Sequence, residues 1–308
     1  MPKKRPAIFD EIAALPTESL NPRTASLDRS STMSVLKMIN REDRLVAPAV
    51  GRELRAVARA VDLAVGAIES GGRVFYVGAG TSGRLGVIDA AECPPTFGTP
   101  PHLFQGIMAG GREAVFRARE GAEDRVGEAR RALARKQVGP RDIVIGLAAC
   151  RRTPFVLAAL EGARAIGAAT VYVTCNPRGG AVDADVVIAV DVGPEALMGS
   201  TRMKCGTAEK MVLNMISTAT MVRLGKVYRN MMVDLMVTSE KLRQRSVRVI
   251  MLATGCPYED AAKTLRRAGG SVKIAIVMML LGVSRREAVR RLKRARGIVR
   301  KALQEPAP

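Results

Sequence analysis

Three short clusters of glycine, hydroxyl and arginine residues have a composition suited to binding a phosphate group. They are GAGTSGR at residues 78–84, CRRT at residues 150–153 and GSTRMK at residues 199–204. Glycines let backbone N–H groups approach an anion, hydroxyl groups add donors, and the N-terminus of a following helix adds a favourable dipole. The combination predicts a phosphorylated, hydroxyl-rich ligand such as a sugar phosphate.

The first cluster also matches the dinucleotide-binding pattern GxGxxG through Gly78, Gly80 and Gly83. That pattern normally includes an acidic residue at the end of a neighbouring strand about 20 residues later, and this chain has a proline-rich segment next instead. The lysine of a Walker phosphate-binding loop is also missing. The match is therefore weak support for a nucleotide ligand.

Carboxyl groups at two places are candidates for acid–base chemistry. Glu92 lies at the end of a predicted helix, just before a Pro-Pro turn, where the helix dipole disfavours an acidic residue. Glu120 and Glu123 in REGAEDR are three residues apart and would share one face of a helix. The spacing alone leaves open a structural role, in which this segment is a solvated helix face and Arg119 and Arg125 are the partners of its carboxylates.

The composition excludes several other kinds of chemistry. The chain has 308 residues, 47% of them apolar, so it can form a sizeable core. One histidine, five widely spaced cysteines and no CxxC pair argue against triads that need a second histidine, zinc sites and small disulfide-bonded secreted domains. The N-terminus lacks the apolar run of a signal peptide and no stretch is long enough to span a membrane, so we expect a cytoplasmic protein with reduced thiols.

The net charge of +20 is concentrated near the C-terminus. Residues 211–308 contribute +14 of it, and residues 284–303 contain nine basic residues and one acidic residue. Such a surface can bind nucleic acid or another acidic partner. No aromatic residues separate the charges, and no zinc finger or helix-turn-helix is recognisable. We therefore favour an amphipathic helix with a basic solvent-facing side over a nucleic-acid partner.

The rest of the sequence predicts an α/β fold. Short apolar runs at residues 74–77, 142–147, 170–175 and 185–190 predict strands that are buried on both faces. Helices are predicted at residues 34–40, 48–69, 85–91 and 156–166, and throughout the chain after Gly206 except for breaks at glycines. The alternation predicts a doubly wound, mostly parallel sheet, which binds ligands beyond the carboxyl ends of its strands.

Several longer stretches closely resemble bacterial N-acetylmuramic acid 6-phosphate etherases. They are TESLNPRT at residues 17–24, INREDRLVAPAV at 39–50, GAGTSGRLGVIDAAECPPTFG at 78–98, GIMAGGREAVFRAREGAED at 106–124, and the stretch from GPEALMGSTRMK to NMMVD at 193–234. The resemblance extends from about residue 17 to residue 303. Its ECPPTFG and EGAED motifs are typical of this family rather than of sugar isomerase folds in general.

The resemblance implies a sugar isomerase (SIS) domain at residues 64–227, preceded by an N-terminal helical segment at residues 1–63 and followed by a C-terminal helical region at residues 228–308. It implies a homodimer that acts on a small sugar phosphate, with no metal, organic cofactor or membrane partner. The reaction would be cleavage of the D-lactyl ether of N-acetylmuramic acid 6-phosphate by elimination and then hydration. The products would be N-acetylglucosamine 6-phosphate and D-lactate, in peptidoglycan and amino-sugar recycling.

The resemblance also assigns roles to residues. Elimination of this kind needs one carboxyl group that donates a proton and one that accepts a proton. Glu92 would donate to the departing lactate oxygen, and Glu123 would remove the proton from C2 of the sugar. The phosphate would be held by Thr81, Ser82, Gly83, Cys150, Arg152, Thr153, Ser200 and Thr201.

One loop departs from the family pattern. Members usually have Ser-Gly-Arg-Thr where this chain has Cys150-Arg151-Arg152-Thr153. Cys is a weaker hydrogen-bond donor than Ser, and Arg has a Cβ atom where Gly would tolerate a positive φ. We therefore expect this loop to hold phosphate in an altered geometry, unless Arg151 supplies charge to the phosphate.

Two other functions fit a sugar-phosphate site on this fold. A non-catalytic, sugar-phosphate-responsive protein similar to glucokinase regulatory protein is disfavoured because both Glu92 and Glu123 are retained, although the altered loop mildly favours it. An aldose–ketose isomerase is disfavoured because the two glutamate motifs are typical of the etherases.

Overall fold

The computed structural model describes residues 7–177, 181–235 and 239–304. These residues form two compact units. The first comprises the described residues up to Ala91 together with His102–Ile216, and the second comprises Glu92–Pro101 and the described residues from Ser217 onward. Among the described residues, no helix is both long enough and apolar enough to cross a membrane.

A five-stranded parallel sheet forms the centre of the first unit. Its strands are β1 (Val74–Gly78), β2 (Phe104–Met108), β3 (Ile143–Leu147), β4 (Ala169–Thr174) and β5 (Val186–Ala189). They lie in the order β2-β1-β3-β4-β5. After β2, successive strands are therefore added on the other side of β1, and the strand order reverses between β1 and β3. β1 and β3 are buried along their whole length, which explains their continuous apolar sequences. The predicted parallel α/β fold is confirmed.

The apolar runs of the sequence predict four of these strands but not β2. This strand lies at the edge of the sheet, and its sequence FQGIM has two partly exposed residues, Gln105 and Gly106, in the middle. An edge strand does not need the continuous apolar run by which the other strands were recognised.

Helices cover both faces of the sheet. The helices that lie in or begin in the first unit are α1 (Ala7–Ala13), α2 (Thr32–Asp43), α3 (Val46–Arg52), α4 (Leu54–Glu69), α5 (Gly80–Phe97), α6 (Glu113–Phe116), α7 (Val126–Arg135), α8 (Pro154–Ile166) and α9 (Lys204–Arg223). α7 and α8 form a buried cluster with Phe75 of β1. The neighbouring residue Tyr76 points to the opposite face, where its hydroxyl donates to Asp89 of α5 over 2.8 Å.

Two predicted helices have different limits. The helix predicted over residues 48–69 is divided at Glu53 into α3 and α4. The helix predicted to end at residue 91 is α5, which continues through Pro94 and Pro95 to Phe97. Glu92 therefore lies inside a helix and not at its C-terminus, so the dipole argument for its role was wrong. The two prolines lack N–H groups, and α5 ends only at Gly98, whose φ is +61°.

The second unit is mainly helical. Beyond the ends of α5 and α9, it contains α10 (Glu240–Thr254), α11 (Tyr258–Arg267), α12 (Val272–Leu281), α13 (Arg285–Arg294), α14 (Val299–Gln304) and a hairpin of β6 (Val227–Tyr228) and β7 (Met231–Met232). The predicted breaks are confirmed at Gly255 and Gly282, which have positive φ and end α10 and α12. The hairpin was not predicted.

The basic segment at residues 284–303 forms two helices, not one. Ser284 begins α13 by accepting a hydrogen bond from the N–H of Glu287 over 3.3 Å, as its sequence predicts. Gly297, with φ of +78°, then separates α13 from α14. Arg291 is buried and donates to the Glu287 carboxylate over 2.9 Å. At least one of these basic residues therefore stabilises the fold and is not part of a solvent-facing charged surface.

Candidate active site

The loop after β1 is a tight turn that depends on two glycines. A Cβ atom on Gly78 would lie 2.7 Å from Cα of Gly83, and one on Gly83 would lie 2.5 Å from Sδ of Met108 and 2.6 Å from the carbonyl oxygen of Gly78. Cβ atoms do not approach other atoms so closely, so both positions require glycine. Gly80, with φ of +53°, then begins α5. The turn brings the backbone directly to the N-terminus of a helix.

The hydroxyl residues of this loop lie on the first turn of α5. Thr81 is half-buried and Ser82 is buried. The first N–H groups of a helix have no acceptor within the helix, so together with the helix dipole they favour a negatively charged ligand. The loop also lies beside the reversal between β1 and β3, the position at which open parallel sheets bind ligands. This arrangement suits a phosphate group.

Glu123 lines the same cavity as this loop. The cavity has a volume of about 90 Å³, and Gly80, Arg84 and Glu120 are also in its walls. The guanidinium of Arg84 donates to two carbonyl oxygens of α6, both at 2.9 Å. Arg84 thereby ties α6 to the loop. The structure thus brings one predicted catalytic carboxylate to the predicted phosphate loop.

The local structure around Glu123 differs from the helix that was predicted. Glu120 lies in a turn that continues through Gly121, whose φ is +70°, and Glu123 lies in the short 3₁₀ turn Ala122–Asp124. Left-handed backbone at Gly121 interrupts the helix, so Glu120 and Glu123 do not share a helix face. The predicted helix is therefore wrong for these residues, and the catalytic role of Glu123 stays a prediction.

The arginines beside these carboxylates have other partners. Arg119 forms an ion pair with Glu113, and Nη1 of Arg125 lies 3.0 Å from the Glu128 carboxylate. The structural role in which they would neutralise Glu120 and Glu123 on a helix face is therefore wrong for the described residues. Glu123 is exposed and lies outside both ion pairs.

Glu92 is exposed on α5, and the next residue, Cys93, is buried. Glu92 is the first residue of the second unit, whereas Glu123 belongs to the first unit. Cys93 and Cys205 are both buried thiols, which agrees with a role in packing.

The loop after β3 has the backbone strain expected from its sequence. Arg151 has a φ of +63°, in the left-handed region that favours glycine. Its guanidinium donates to the carbonyl oxygen of Asn176 over 3.1 Å. Sγ of Cys150 lies 3.9 Å from the hydroxyl oxygen of the buried Thr153, which precedes α8. The arginine is thus held in a backbone conformation in which the usual glycine of the family would be unstrained.

The side chains of Arg151 and Arg152 line a different cavity from that of Glu123. This cavity has a volume of about 600 Å³, and its other walls include Val126, Leu157 and Asp183. Neither arginine is among the residues that line the smaller cavity beside Gly80. A direct role of Arg152 in phosphate binding stays a prediction.

The third cluster approaches the first through Gly206. A Cβ atom on Gly206 would lie 3.5 Å from Cγ2 of Thr81 and 3.6 Å from the carbonyl oxygen of Thr201. Ser200 and Thr201 are half-buried in the turn before α9. The structure therefore brings the turn with Ser200 and Thr201 and the loop with Thr81 next to the same small residue. α9 begins at Lys204, three residues before the predicted start.

Buried ionic contacts hold the start of α9, and the sequence analysis missed them. The fully buried ammonium of Lys204 lies 2.8 Å from the carboxylate of Glu42, which also accepts from Arg23 over 2.5 and 2.9 Å. The buried carboxylate of Glu195 accepts from the N–H groups of Lys204 and Cys205 over 3.0 and 2.9 Å. Glu42 is 162 residues away from Lys204, so no local pattern could have indicated the pair.

Replacing Glu42 with Gln is expected to destabilise the first unit by about 3–5 kcal/mol, because the variant leaves the Lys204 charge buried without a carboxylate. The Arg23 guanidinium, with Lys204, lowers the pKa of Glu42 to about 2. A lowered pKa stabilises the folded state above the ordinary pKa, and this stabilisation is lost as the pH falls towards 2. The difference between wild type and variant should therefore be large at pH 7 and smaller at pH 3 in urea unfolding followed by circular dichroism.

The matched control is Arg23→Ala, since Arg23 is half-exposed and its loss leaves the buried pair with Lys204 in place. We expect this variant to lose less stability than Glu42→Gln, because the buried ammonium of Lys204 keeps its carboxylate partner. Equal losses of unfolding free energy in Glu42→Gln and Arg23→Ala would contradict the central role of the buried ammonium.

Comparison with known proteins identifies the family of this chain. Residues 56–164 match the family model of the glucokinase regulatory protein N-terminal SIS domain. The N-acetylmuramic acid 6-phosphate etherase of Salinibacter ruber is 56% identical over 272 residues, covering 88% of each chain. The same enzyme from Symbiobacterium thermophilum is 55% identical over 86% of this chain and 89% of its own, and that of Clostridium beijerinckii is 51% identical over 94% and 96%. With identity above one half along most of both sequences, the chain belongs to the N-acetylmuramic acid 6-phosphate etherase family.

Proposed function

We propose that this protein cleaves the D-lactyl ether of N-acetylmuramic acid 6-phosphate and releases N-acetylglucosamine 6-phosphate and D-lactate. It is thus a carbon–oxygen lyase of amino-sugar metabolism. The observation that carries the proposal is that, in a chain of this family, Glu123 and the glycine loop at residues 78–84 line one cavity. A carboxylate beside a phosphate cradle is what a base acting on a sugar phosphate requires.

The reaction begins when the sugar ring opens and exposes an aldehyde at C1, which makes the C2 proton acidic. Glu123 removes that proton, and the electron pair of the C2–H bond is first held as the enolate of the C1 aldehyde. The enolate then forms a C2–C3 double bond as the C3–O bond breaks. Glu92 gives its proton to the departing lactate oxygen. Water then adds across the double bond, so that C3 gains a hydroxyl group and C2 regains a proton. General acid–base catalysis of this kind contributes about 10²–10⁴-fold to the rate.

The phosphate anchors the substrate while the sugar carbons react. We assign it to the loops after β1 and β3 and to the turn before α9, with contacts from Thr81, Ser82, Gly83, Cys150, Arg152, Thr153, Ser200 and Thr201. We further propose that the chain is divided into an N-terminal segment at residues 1–63, a sugar isomerase domain at 64–227 and a helical region at 228–308. We also propose that the protein forms a homodimer and acts in the cytoplasm.

The test is the release of D-lactate from N-acetylmuramic acid 6-phosphate by the purified full-length protein. Time-dependent release of D-lactate with an equal amount of N-acetylglucosamine 6-phosphate is expected. Binding of the substrate without release would favour the sugar-phosphate-responsive alternative, and conversion of an aldose phosphate to a ketose phosphate would favour the isomerase.

The double variant Cys150→Ser, Arg151→Gly is expected to lower KM about fivefold. Ser donates a stronger hydrogen bond to the phosphate than Cys, an effect worth about 1 kcal/mol, and Gly adopts the positive φ of position 151 without strain. Steady-state kinetics of D-lactate release measures the change. Arg151→Ala is the control, because it removes the guanidinium but keeps the Cβ atom, and it should not lower KM. A higher KM in the double variant would mean that Arg151 contacts the phosphate.

A further inference from the structure

A buried carboxyl group that the proposed reaction does not use lies on α9. Glu209 is 1% exposed, and neither of its carboxyl oxygens has a hydrogen-bond partner of normal geometry among the described residues. A charged carboxylate without a partner is very costly in such a place, whereas a protonated carboxyl group is much less so. Burial accordingly raises the pKa of Glu209 to about 8.

The position of Glu209 on α9 places it on the side of the helix that faces the phosphate loop. Gly206, one turn earlier on α9, packs against Thr81, since a Cβ atom there would lie 3.5 Å from Cγ2 of Thr81. Residues three apart lie on the same side of a helix, so Glu209 continues the face of α9 that meets this loop. The hydroxyl of the buried Ser82 interacts with the Glu209 carboxyl and offsets part of the effect of burial on its pKa.

Among the described residues, the other titratable groups whose pKa responds to Glu209 are not basic side chains. Tyr172 of β4 and Cys175 just after β4 both respond to the charge of Glu209, and burial contributes to raising the pKa of each. Both groups are therefore neutral in the pH range in which Glu209 titrates. Ser82 is therefore the group that favours the Glu209 anion among these three, and its effect on the pKa is smaller than that of burial.

We propose that Glu209 is a positioning residue for phosphate binding: its protonated carboxyl group donates a hydrogen bond to Oγ of Ser82, so that the Ser82 proton is directed towards a phosphate oxygen. This inference rests on the proposed role of the loop in holding the substrate phosphate. The Ser82 hydroxyl interacts with the Glu209 carboxyl in the structure, although no hydrogen bond of normal geometry joins them there. A carboxylic acid has one donor, and a hydroxyl group both accepts and donates, so a chain of donors leads from Glu209 to the ligand.

Ionisation of Glu209 reverses the direction of the hydrogen bond between Glu209 and Ser82. A carboxylate is only an acceptor, so it takes the Ser82 proton for itself, and Oγ then presents lone pairs to the phosphate. The new negative charge also repels the phosphate from a site of low dielectric. Affinity is thus full while Glu209 is protonated and falls as the pH rises through its pKa.

The experiment is titration calorimetry of N-acetylglucosamine 6-phosphate with the full-length protein at pH 7 and pH 9. A phosphate monoester is doubly ionised throughout most of this range, so its own ionisation contributes little. For the wild type, Kd is expected to rise about tenfold, because binding requires a proton on a group with a pKa of about 8. Glu209→Gln keeps a donor for Ser82 and cannot ionise, so its Kd should match the wild-type value at pH 7 and change less than twofold at pH 9.

Two more variants test whether the pH dependence of Kd comes from the carboxyl group of Glu209. Glu209→Leu lacks the donor, so it should bind several-fold more weakly than wild type at pH 7 and show no pH dependence. Glu128→Gln changes a glutamate outside the proposed binding loops and should keep both the wild-type affinity and the tenfold dependence. Glu209→Gln has no charge to bury and is expected to be as stable as the wild type, which thermal unfolding checks.

The inference is overturned if Glu209→Gln shows the same rise of Kd as the wild type, if Kd of the wild type does not change, or if the sugar phosphate does not bind. Failure of the proposed reaction gives a different result. A protein that releases no D-lactate but shows the pH dependence of Kd, abolished by Glu209→Gln, would refute the etherase proposal and support the role of Glu209.

Discussion

Glu123→Gln is expected to abolish both D-lactate release and the exchange of the C2 proton of N-acetylmuramic acid 6-phosphate with solvent deuterium. Gln has nearly the same shape as Glu but cannot accept the proton, so the first bond-breaking step fails. We expect a loss of about 10²–10⁴-fold in both rates. Proton NMR of the substrate in deuterated water measures the exchange, and an enzymatic assay of D-lactate measures the release.

The position of Glu123 makes this variant a clean test. Its side chain is exposed and takes no part in the ion pairs of Arg119 and Arg125, so its replacement removes no described stabilising contact. The matched control is Glu128→Gln, which breaks a surface ion pair with Arg125 and should retain both activities. Continued exchange at C2 in Glu123→Gln would remove Glu123 as the base.

Glu92→Gln is expected to separate the two activities. Without a proton donor for the lactate oxygen, D-lactate release should fall by about 10²–10⁴-fold. The base is still present, so C2 exchange in deuterated water should continue at a rate within a few-fold of wild type. The same NMR and D-lactate assays, applied to one sample, give both rates.

The split between exchange and release distinguishes an acid from a residue that only binds substrate, since loss of binding would slow both activities together. Glu161→Gln is the matched control, because Glu161 is another exposed glutamate within a helix, and it should retain both activities. Release of D-lactate at the wild-type rate by Glu92→Gln would refute the acid role.

Much of the fold was predictable because its signals are local. The apolar runs of β1 and β3 and the glycines after β1 each occupy a few consecutive residues, and the structure confirms a parallel sheet with the glycine loop at its carboxyl edge. The start of α13 at Ser284 and the ends of α10 and α12 at glycines were predictable for the same reason. β2 was missed because an edge strand with exposed residues lacks that signal.

The features that the sequence did not reveal depend on distant contacts or on backbone geometry. The partner of Lys204 is Glu42, at the other end of the unit's sequence, and Glu209 became notable only when its burial was known. Gly121 changed the expected helix around Glu123 into a turn through its positive φ. By contrast, the strain at Arg151 was expected from a single substitution in the family pattern, and its φ of +63° bears out that reasoning.

Isotopic analysis of the products is the decisive test for elimination followed by hydration. The wild-type protein would be incubated with N-acetylmuramic acid 6-phosphate in water that is enriched in both deuterium and oxygen-18, and the products would be analysed by mass spectrometry. Elimination and hydration predict one deuterium at C2 and one heavy oxygen at C3 of N-acetylglucosamine 6-phosphate. The hydroxyl oxygen of D-lactate, which is the former ether oxygen, should contain no oxygen-18. Absence of D-lactate, or heavy oxygen in its hydroxyl group, would contradict the account.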